Sequence, residues 1–131
     1  MMNVLIVEDD LTMRAYMKIS LLKCSYKIDQ IFEAKNGYEA MAILKKESIN
    51  FIFTDIMMPQ MDGVELMKWL HNQPKYQHVP VVAVTSECGD QLLNMLSFWG
   101  HGYVQKPYSM PILENQLSNF YKKNNDYNLY G

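Results

Sequence analysis

The stretch Phe51-Ile52-Phe53-Thr54-Asp55, followed by Ile56-Met57-Met58-Pro59-Gln60-Met61-Asp62-Gly63, constrains the fold more than any other part of the chain. It opens as a short apolar, aromatic run, the composition of a strand covered on both faces. It closes in a loop marked by Pro59 and Gly63, and a lone carboxylate, Asp55, stands where strand becomes loop. In an open α/β sheet, ligands bind outside the carboxyl ends of the strands, which puts Asp55 at the floor of that crevice. A single Asp after a strand is also ordinary turn or cap chemistry. Its meaning therefore depends on what the other strand ends supply.

The rest of the chain alternates between strand-like and helix-like patterns. Residues 3–7 form a continuous apolar run that stops at Glu8-Asp9-Asp10. From Leu11 the spacing turns helical: Leu11, Ala15, Ile19 and Leu22 share the apolar face, Met13, Tyr16 and Met17 lie near it, and Arg14, Lys18 and Lys23 fall on the polar side. A weaker strand over about 28–34 ends at Lys35-Asn36-Gly37. Asn-Gly can mark a hairpin, but Ala40, Ile43 and Leu44 then mark the inner face of a helix over 38–46. After the central strand, Asp62 with Glu65 reads as a capping box for a helix over roughly 63–72, stopped by Pro74. A fourth strand over 79–84 ends at Thr85-Ser86, and Asp90 can cap a very apolar helix over 91–99 closed by Gly100. The fifth strand, 102–105, meets Lys106-Pro107. Pro111 suits the first turn of a last helix with Ile112, Leu113, Leu117, Phe120 and Tyr121 as its inner stripe. Residues 124–131 are Asn/Tyr-rich without periodicity and read as a frayed tail. Five strands alternating with five helices imply parallel strands joined by right-handed crossovers. The expected fold is a doubly wound α/β domain without repeat, linker or second domain.

Composition narrows the function classes. The 131 residues suit one domain, and 49% hydrophobic with 20% charged residues argues against disorder. A net charge of -2 without a Lys/Arg run gives no nucleic-acid footprint. No apolar stretch approaches the roughly 18 residues needed to span a bilayer. The first residues lack the basic region and cleavage site of a signal peptide. Cys24 and Cys88 have no metal-ligand spacing and read as reduced, packed thiols. A cytoplasmic location is the expectation. The 11 methionines sit mostly at apolar positions and read as core filler.

Chemistry should gather at the strand ends: Glu8, Asp9 and Asp10, then Asp55, Thr85 and Lys106. Packing Glu8, Asp9 and Asp55 together raises their pKa values unless a cation joins them. Oxygen-only ligands around a small cavity suit Mg²⁺, which binds through one or two carboxylates and keeps several waters. Such an ion would screen Asp55 and neutralise charge on an incoming phosphoryl group. Lys106 adds a compact cation able to reach a phosphate oxygen or to pair with Asp55, and Thr85 adds a hydroxyl. These are the parts needed to accept a phosphoryl group as an acyl phosphate. Taken singly, each has an ordinary explanation. Acidic residues are favoured before a helix, a strand-end hydroxyl is usually satisfied locally, a lysine before a proline is usually solvated, and Tyr103 suits a core. A chance origin must explain all the placements at once.

In order and spacing, Val7-Glu8-Asp9-Asp10, the stretch from Asp55 to Gly63, Thr85-Ser86 and Lys106-Pro107 resemble the response-regulator receiver domain of two-component signalling. The resemblance spans residues 2 to about 123, with Thr85 thirty positions after Asp55. Leu11-Thr12-Met13-Arg14 and Gly102-Tyr103-Val104-Gln105-Lys106-Pro107 are most similar to its stand-alone chemotaxis (CheY-like) type. The resemblance implies a flavodoxin-like (βα)5 three-layer sandwich of strand order 2-1-3-4-5. It implies one receiver domain over 1–123, a flexible tail over 124–131 and no output domain. Asp55 would accept the phosphoryl group of a histidine kinase. Asp9 and Asp55 would ligate Mg²⁺, or Mn²⁺, together with the backbone carbonyl of Met57, and Glu8 would act largely through water. Lys106 would bind a phosphoryl oxygen, and its bond to Pro107 would be cis. Thr85 would swing toward the phosphate and Tyr103 would move inward behind it. The output would be a two-state surface of the fourth helix, fifth strand and fifth helix, contacting a downstream target and open to dimerisation on phosphorylation.

The chain departs from that type in three places. Met57 stands where the chemotaxis type carries an amide, which bears on acyl-phosphate lifetime. The interval from Thr85 to Tyr103 is one residue shorter, and Trp99-Gly100-His101-Gly102 replaces an Ala-Gly-Ala turn, which bears on Thr/Tyr coupling. Leu92, Leu93, Met95, Leu96, Phe98 and Trp99 form a broader apolar stripe than one core face needs. Leu92, Met95, Leu96 and Trp99 can face the sheet. That leaves Leu93 and Phe98 as half-buried flanks or, with Trp99 and Tyr103, as a docking surface. Two other activities use the same parts. A phosphorelay intermediate would pass the group from Asp55 to a histidine phosphotransfer protein docked beside that site. A phosphatase of the haloacid-dehalogenase type needs a second Asp where Met57 stands, and a cap domain for which this length has no room.

Overall fold

The computed structural model describes residues 2–86 and 89–124. In chain order the elements are β1 (Asn3–Val7), α1 (Leu11–Leu22), β2 (Gln30–Ala34), α2 (Gly37–Lys46), β3 (Phe51–Thr54), α3 (Gly63–His71), β4 (Val81–Thr85), α4 (Asp90–Phe98), β5 (Gly102–Gln105) and α5 (Pro111–Asn124). The strands pair in parallel in the order β2-β1-β3-β4-β5, as expected. β1, β3 and β4 are buried at every residue. Their alternate side chains enter different cores. Leu5, Val7, Ile52, Val81 and Ala83 meet Ala40 and Leu44 of α2, Leu66, Met67 and Leu70 of α3 and Leu96 of α4. Val4, Ile6, Phe51, Phe53, Val82 and Val84 meet Met17 and Leu21 of α1 and Leu113 and Leu117 of α5. A strand covered on both faces has no polar side, hence its continuous apolar run.

The expected capping box at Asp62 and Glu65 is present, with both side chains bonded to each other's backbone N–H. The inner stripe of α5 is also as expected: Leu113 and Leu117 are buried, and Ile112, Phe120 and Tyr121 pack against that core. Other readings need correction. The expected apolar face of α1 points outward: Leu11 is 71%, Ile19 42% and Leu22 66% exposed. The inner face is Met17, Ser20 and Leu21. The helix is apolar on two sides, and its phase is fixed by bonds to other elements. Asp10 caps it by accepting from the Met13 N–H, and the Tyr16 hydroxyl donates to the Tyr108 carbonyl.

β2 begins at Gln30 rather than about residue 28. β4 begins at Val81 because Pro80 has no N–H for the ladder, although its carbonyl accepts from Ile52. Gly89, not Asp90, is the N-cap of α4, and no side chain caps that helix. Cys24 is a free thiol, partly buried against the α1/α5 core. Cys88 and the tail beyond Asn124 lie outside the described residues.

The two faces of α1 should differ sharply in urea denaturation. Met17→Ala should lower the unfolding free energy by about 2–4 kcal/mol, the range for emptying a buried position of this size. Leu22→Ala should change it by no more than about 0.5 kcal/mol.

Candidate functional site

The carboxyl ends of β1 and β3 are locked in register before any side chain acts. The Glu8 N–H donates to the Ala34 carbonyl and the Asp55 N–H to the Val7 carbonyl, both at 2.9 Å. Each carboxylate thus leaves the sheet from a fixed backbone. Asp55 is further held because its Oδ1 accepts from the Ile56 N–H at 2.7 Å. Glu8 and Asp55 are buried and Asp9 is exposed at the mouth. One oxygen of each lies within 4.8 Å of the others, a cluster able to hold a metal ion.

Lys106 enters from the end of β5, its N–H bonded to the Thr85 carbonyl at 3.0 Å. Its Nζ donates to Glu8 Oε1 at 2.6 Å and to Asp55 Oδ2 at 3.4 Å. The sequence suggested an Asp55 pairing, but the shorter bond goes to Glu8. Glu8 is only 1% exposed, so desolvation pushes its pKa up to about 7, against the Lys106 and Asp10 hydrogen bonds that pull it down. Burial works to lower the Lys106 pKa, but Glu8 and Asp55 outweigh it and hold the ammonium above its ordinary value. Lys106 therefore keeps its proton, and enclosure away from water is what raises Glu8. The Lys106–Pro107 bond is cis, as expected.

The loop after Asp55 is braced from two sides. The Gly63 N–H returns to the Ile56 carbonyl at 3.0 Å, and a Cβ on Gly63 would run into the Asp55 carbonyl oxygen. Asn36 caps α2 and also donates from Nδ2 to Oε1 of Gln60, which adopts φ 62°. This leaves Met57 63% exposed. It lines, with Met58, Val64, Leu92 and Met95, an open groove of about 690 Å³ between the loop and α4.

Thr85 is fully buried at the end of β4. Tyr103 is half-buried, packed against the same core as Leu96. On α4, Leu92, Met95 and Trp99 pack on that core, while Leu93 is 36% and Phe98 87% exposed. Of the two alternatives for Phe98, the structure takes the outward one. Asp10 stands apart from the acidic cluster as the cap of α1.

Two residues escaped the sequence reading. Arg14 donates from Nη1 to the Glu8 carbonyl at 2.8 Å and from Nε to Glu33 at 3.2 Å, tying α1 and β2 to the site. Only its position one turn past Asp10 could have signalled that. Tyr108 buries its hydroxyl with no hydrogen-bond partner among the described residues, and burial raises its pKa, with smaller effects from Tyr16 and Glu8. Its place two residues after Lys106 was the available signal.

Residues 4–118 match the family described as the response regulator receiver domain. The chain belongs to the response regulator receiver domain family. Among relatives, a chemotaxis protein CheY homolog of Campylobacter jejuni is 34% identical over 118 residues, covering 88% of this chain and 89% of that protein. Chemotaxis protein CheY-3 of Vibrio cholerae is 32% identical over 123 residues, 93% of each. The solved structure of the chemotaxis response regulator CheY4 of Vibrio cholerae superposes with a TM-score of 0.80 at 26% identity, over 92% of this chain and 99% of that one. A Francisella response regulator receiver domain gives 0.81 at 25% identity, over 95% and 100%. This receiver is therefore CheY-like, a signalling switch by family. None of its described helices is long and apolar enough to cross a membrane.

The receiver's acidic cluster offers oxygen donors only, with Asp9 open to solvent and a desolvated Glu8 that a second cation would favour in its charged form. That donor set fits a hard divalent ion. Ligating groups must be deprotonated. Affinity for Mn²⁺, measured by calorimetry, should hold above about pH 7, where Glu8 is ionised, and weaken as pH falls through that value.

Proposed function

We propose that this receiver domain accepts a phosphoryl group on Asp55 from a histidine kinase and switches a partner-binding surface in response. The observation that carries this reading is the Asp55 carboxylate itself. One oxygen is fixed by the Ile56 N–H, and the other faces the Lys106 ammonium beside two further carboxylates. Asp55 would attack the phosphorus of a phosphohistidine, forming an O–P bond as the N–P bond breaks and the donor imidazole leaves. Lys106 would move from carboxylate to phosphoryl oxygen as that charge arrives. A divalent ion, Mg²⁺ by the donor chemistry, would neutralise phosphoryl charge, held by Asp9, Asp55 and the Met57 carbonyl, with Glu8 acting through water.

The output surface would be α4, β5 and α5. Its exposed Phe98 and Leu93 offer an apolar anchor, Thr85 would relay the change from the end of β4 to Tyr103 on the neighbouring β5, and the chemotaxis relatives suggest a motility partner in the cytoplasm. A second reading, the phosphorelay intermediate, draws on one observation. The exposed face Leu11, Ala15, Ile19 and Leu22 begins beside Asp9 at the mouth of the site, where a phosphotransfer helix would dock. If that reading holds, Leu22→Asp should slow transfer from phosphorylated protein to a histidine phosphotransfer domain and leave kinase-free loading by acetyl phosphate unchanged. Equal transfer rates in the two proteins would dismiss it.

Thermal unfolding with Mg²⁺ and then beryllofluoride, an acyl-phosphate mimic, tests the main reading. A ligand at 100 times its dissociation constant adds about 2.7 kcal/mol to stability. Wild type should show a Mg²⁺-dependent rise in Tm with beryllofluoride, and Asp55→Asn should show none. A flat response in wild type would remove the phosphoacceptor reading.

A further inference from the structure

The turn Trp99-Gly100-His101-Gly102, where the chain departs from its family's pattern, builds a device far from Asp55. α4 ends in a Schellman arrangement: the His101 N–H donates to the Leu96 carbonyl at 2.8 Å and the Gly100 N–H to the Ser97 carbonyl at 3.1 Å. Gly100 takes the required positive φ of 74°. These bonds fix the His101 backbone just before β5. β5 begins one residue too late to pair with Val81, since its register is Val82↔Gly102. The Val81 N–H donates instead to His101 Nδ1 at 3.2 Å. A backbone N–H can only donate, so Nδ1 is bare and the proton of the neutral ring sits on Nε2. That Nε2 lies 3.2 Å from His71 Nε2 at the end of α3. His71 Nε2 must therefore accept, which puts its own proton on Nδ1. His71 also stacks on Trp99, with ring centroids 4.4 Å apart and planes at 25°.

The order Val81 N–H, His101, His71 has one consistent set of protons, and every added proton breaks it. A proton on His71 sets two N–H groups against each other. A proton on His101 Nδ1 ejects the Val81 N–H. The same logic argues against a metal between the rings, which would require His101 to lose both ring protons or abandon Val81. We propose that the His71–His101 pair is a proton-operated clasp that fastens the end of α3 to the α4–β5 turn and releases it on acidification, loosening the base of the surface that carries Trp99, Phe98 and Tyr103.

The surroundings favour a neutral clasp. Burial, and then His71, lower the His101 pKa to about 4, and burial lowers that of His71. On α3 the nearest ionic group is Lys68, one turn earlier and exposed; the following loop carries Lys75, over the Tyr76 ring at 5.5 Å, and His78, which lines the same groove as His101. α4 carries Asp90 at its far end, β5 meets Lys106 at its far end, and Glu114 of α5 accepts from the Ser25 N–H. No carboxylate among the described residues contributes to the shift of either ring. Folding thus prefers the unprotonated His101, and the unfolded chain binds the extra proton between its ordinary 6.5 and about 4. Stability from this pair is complete above that window and is lost as pH falls through it.

Nitrogen-detected NMR of the imidazoles from pH 7.5 to 4.5 reads the clasp directly. At pH 7.5 His101 should be protonated at Nε2 and His71 at Nδ1. Acidification should move the amides of Val81, Trp99 and Tyr103 on the same curve as the rings. Reversed tautomers, or rings that titrate while those amides stay still, would overturn the proposal. His101→Gln supplies a second measurement, because its carboxamide can accept from Val81 and donate to His71 without taking up a proton. Glu8 titrates over part of the same range with the opposite sign, so the comparison is between proteins. Relative to the variant, the wild-type unfolding equilibrium should shift toward the unfolded state by roughly tenfold per pH unit between about 6 and 4.5. Parallel curves would also refute the clasp.

Discussion

Three carboxylates converging at the end of a parallel sheet repel one another, and the sheet cannot relieve that by moving, because its strands are packed on both faces. The Lys106 ammonium is what lets the arrangement stand. Its 2.6 Å bond to Glu8 and its 3.4 Å contact with Asp55 bridge β5 to β1 and β3. A buried pair of this kind contributes little net stability against its desolvation, but removing either partner strands a charge. The site therefore holds a strain that only a cation relieves. Burial shows this most clearly at Glu8, whose pKa rises to about 7 beside a full positive charge.

The scaffold fixes that tension in space. Asp55 is held by ladder bonds to β1 and by the first N–H of its own loop. The loop is pinned by α2 through Asn36 and Gln60, and by α3 through its capping box and the close approach at Gly63. Arg14 ties α1 to the carbonyl of Glu8. Each helix that contacts the site does so at its N-terminal end, where its backbone N–H groups and caps are concentrated. The opposite end of the sheet is organised differently, by a turn at the end of α4 and a chain of neutral imidazoles. α4 joins the two ends, lining the groove beside Met57 at its start and closing in the His101 turn.

Much of this was legible residue by residue. Continuous apolar runs marked the buried strands and period-3.6 patterns the helices, and the strand ends brought Glu8, Asp9, Asp55 and Lys106 together. The misreadings have separate physical causes. α1 is apolar on two sides, so periodicity alone could not set its phase, and the face with Leu11, Ile19 and Leu22 proved to be the outer one. Gly89 displaced Asp90 as cap because capping depends on backbone angles rather than residue preference. Pro80 shortened β4 through a missing N–H that matters only once a neighbouring strand is known.

The sequence alone determined which elements form, their parallel arrangement and the chemical inventory at the carboxyl ends of the strands, because those follow from local spacing and from where apolar runs stop. Tertiary structure alone decided how the charges pair, with Lys106 closest to Glu8, and which way α1 and Phe98 face. It also decided that His71 and His101, thirty residues apart, meet as one hydrogen-bonded pair. The physical reason is distance along the chain. Hydrogen bonds and ion pairs act over about 3 Å in space, and partners that approach only after the sheet closes leave no periodic trace in the order of residues.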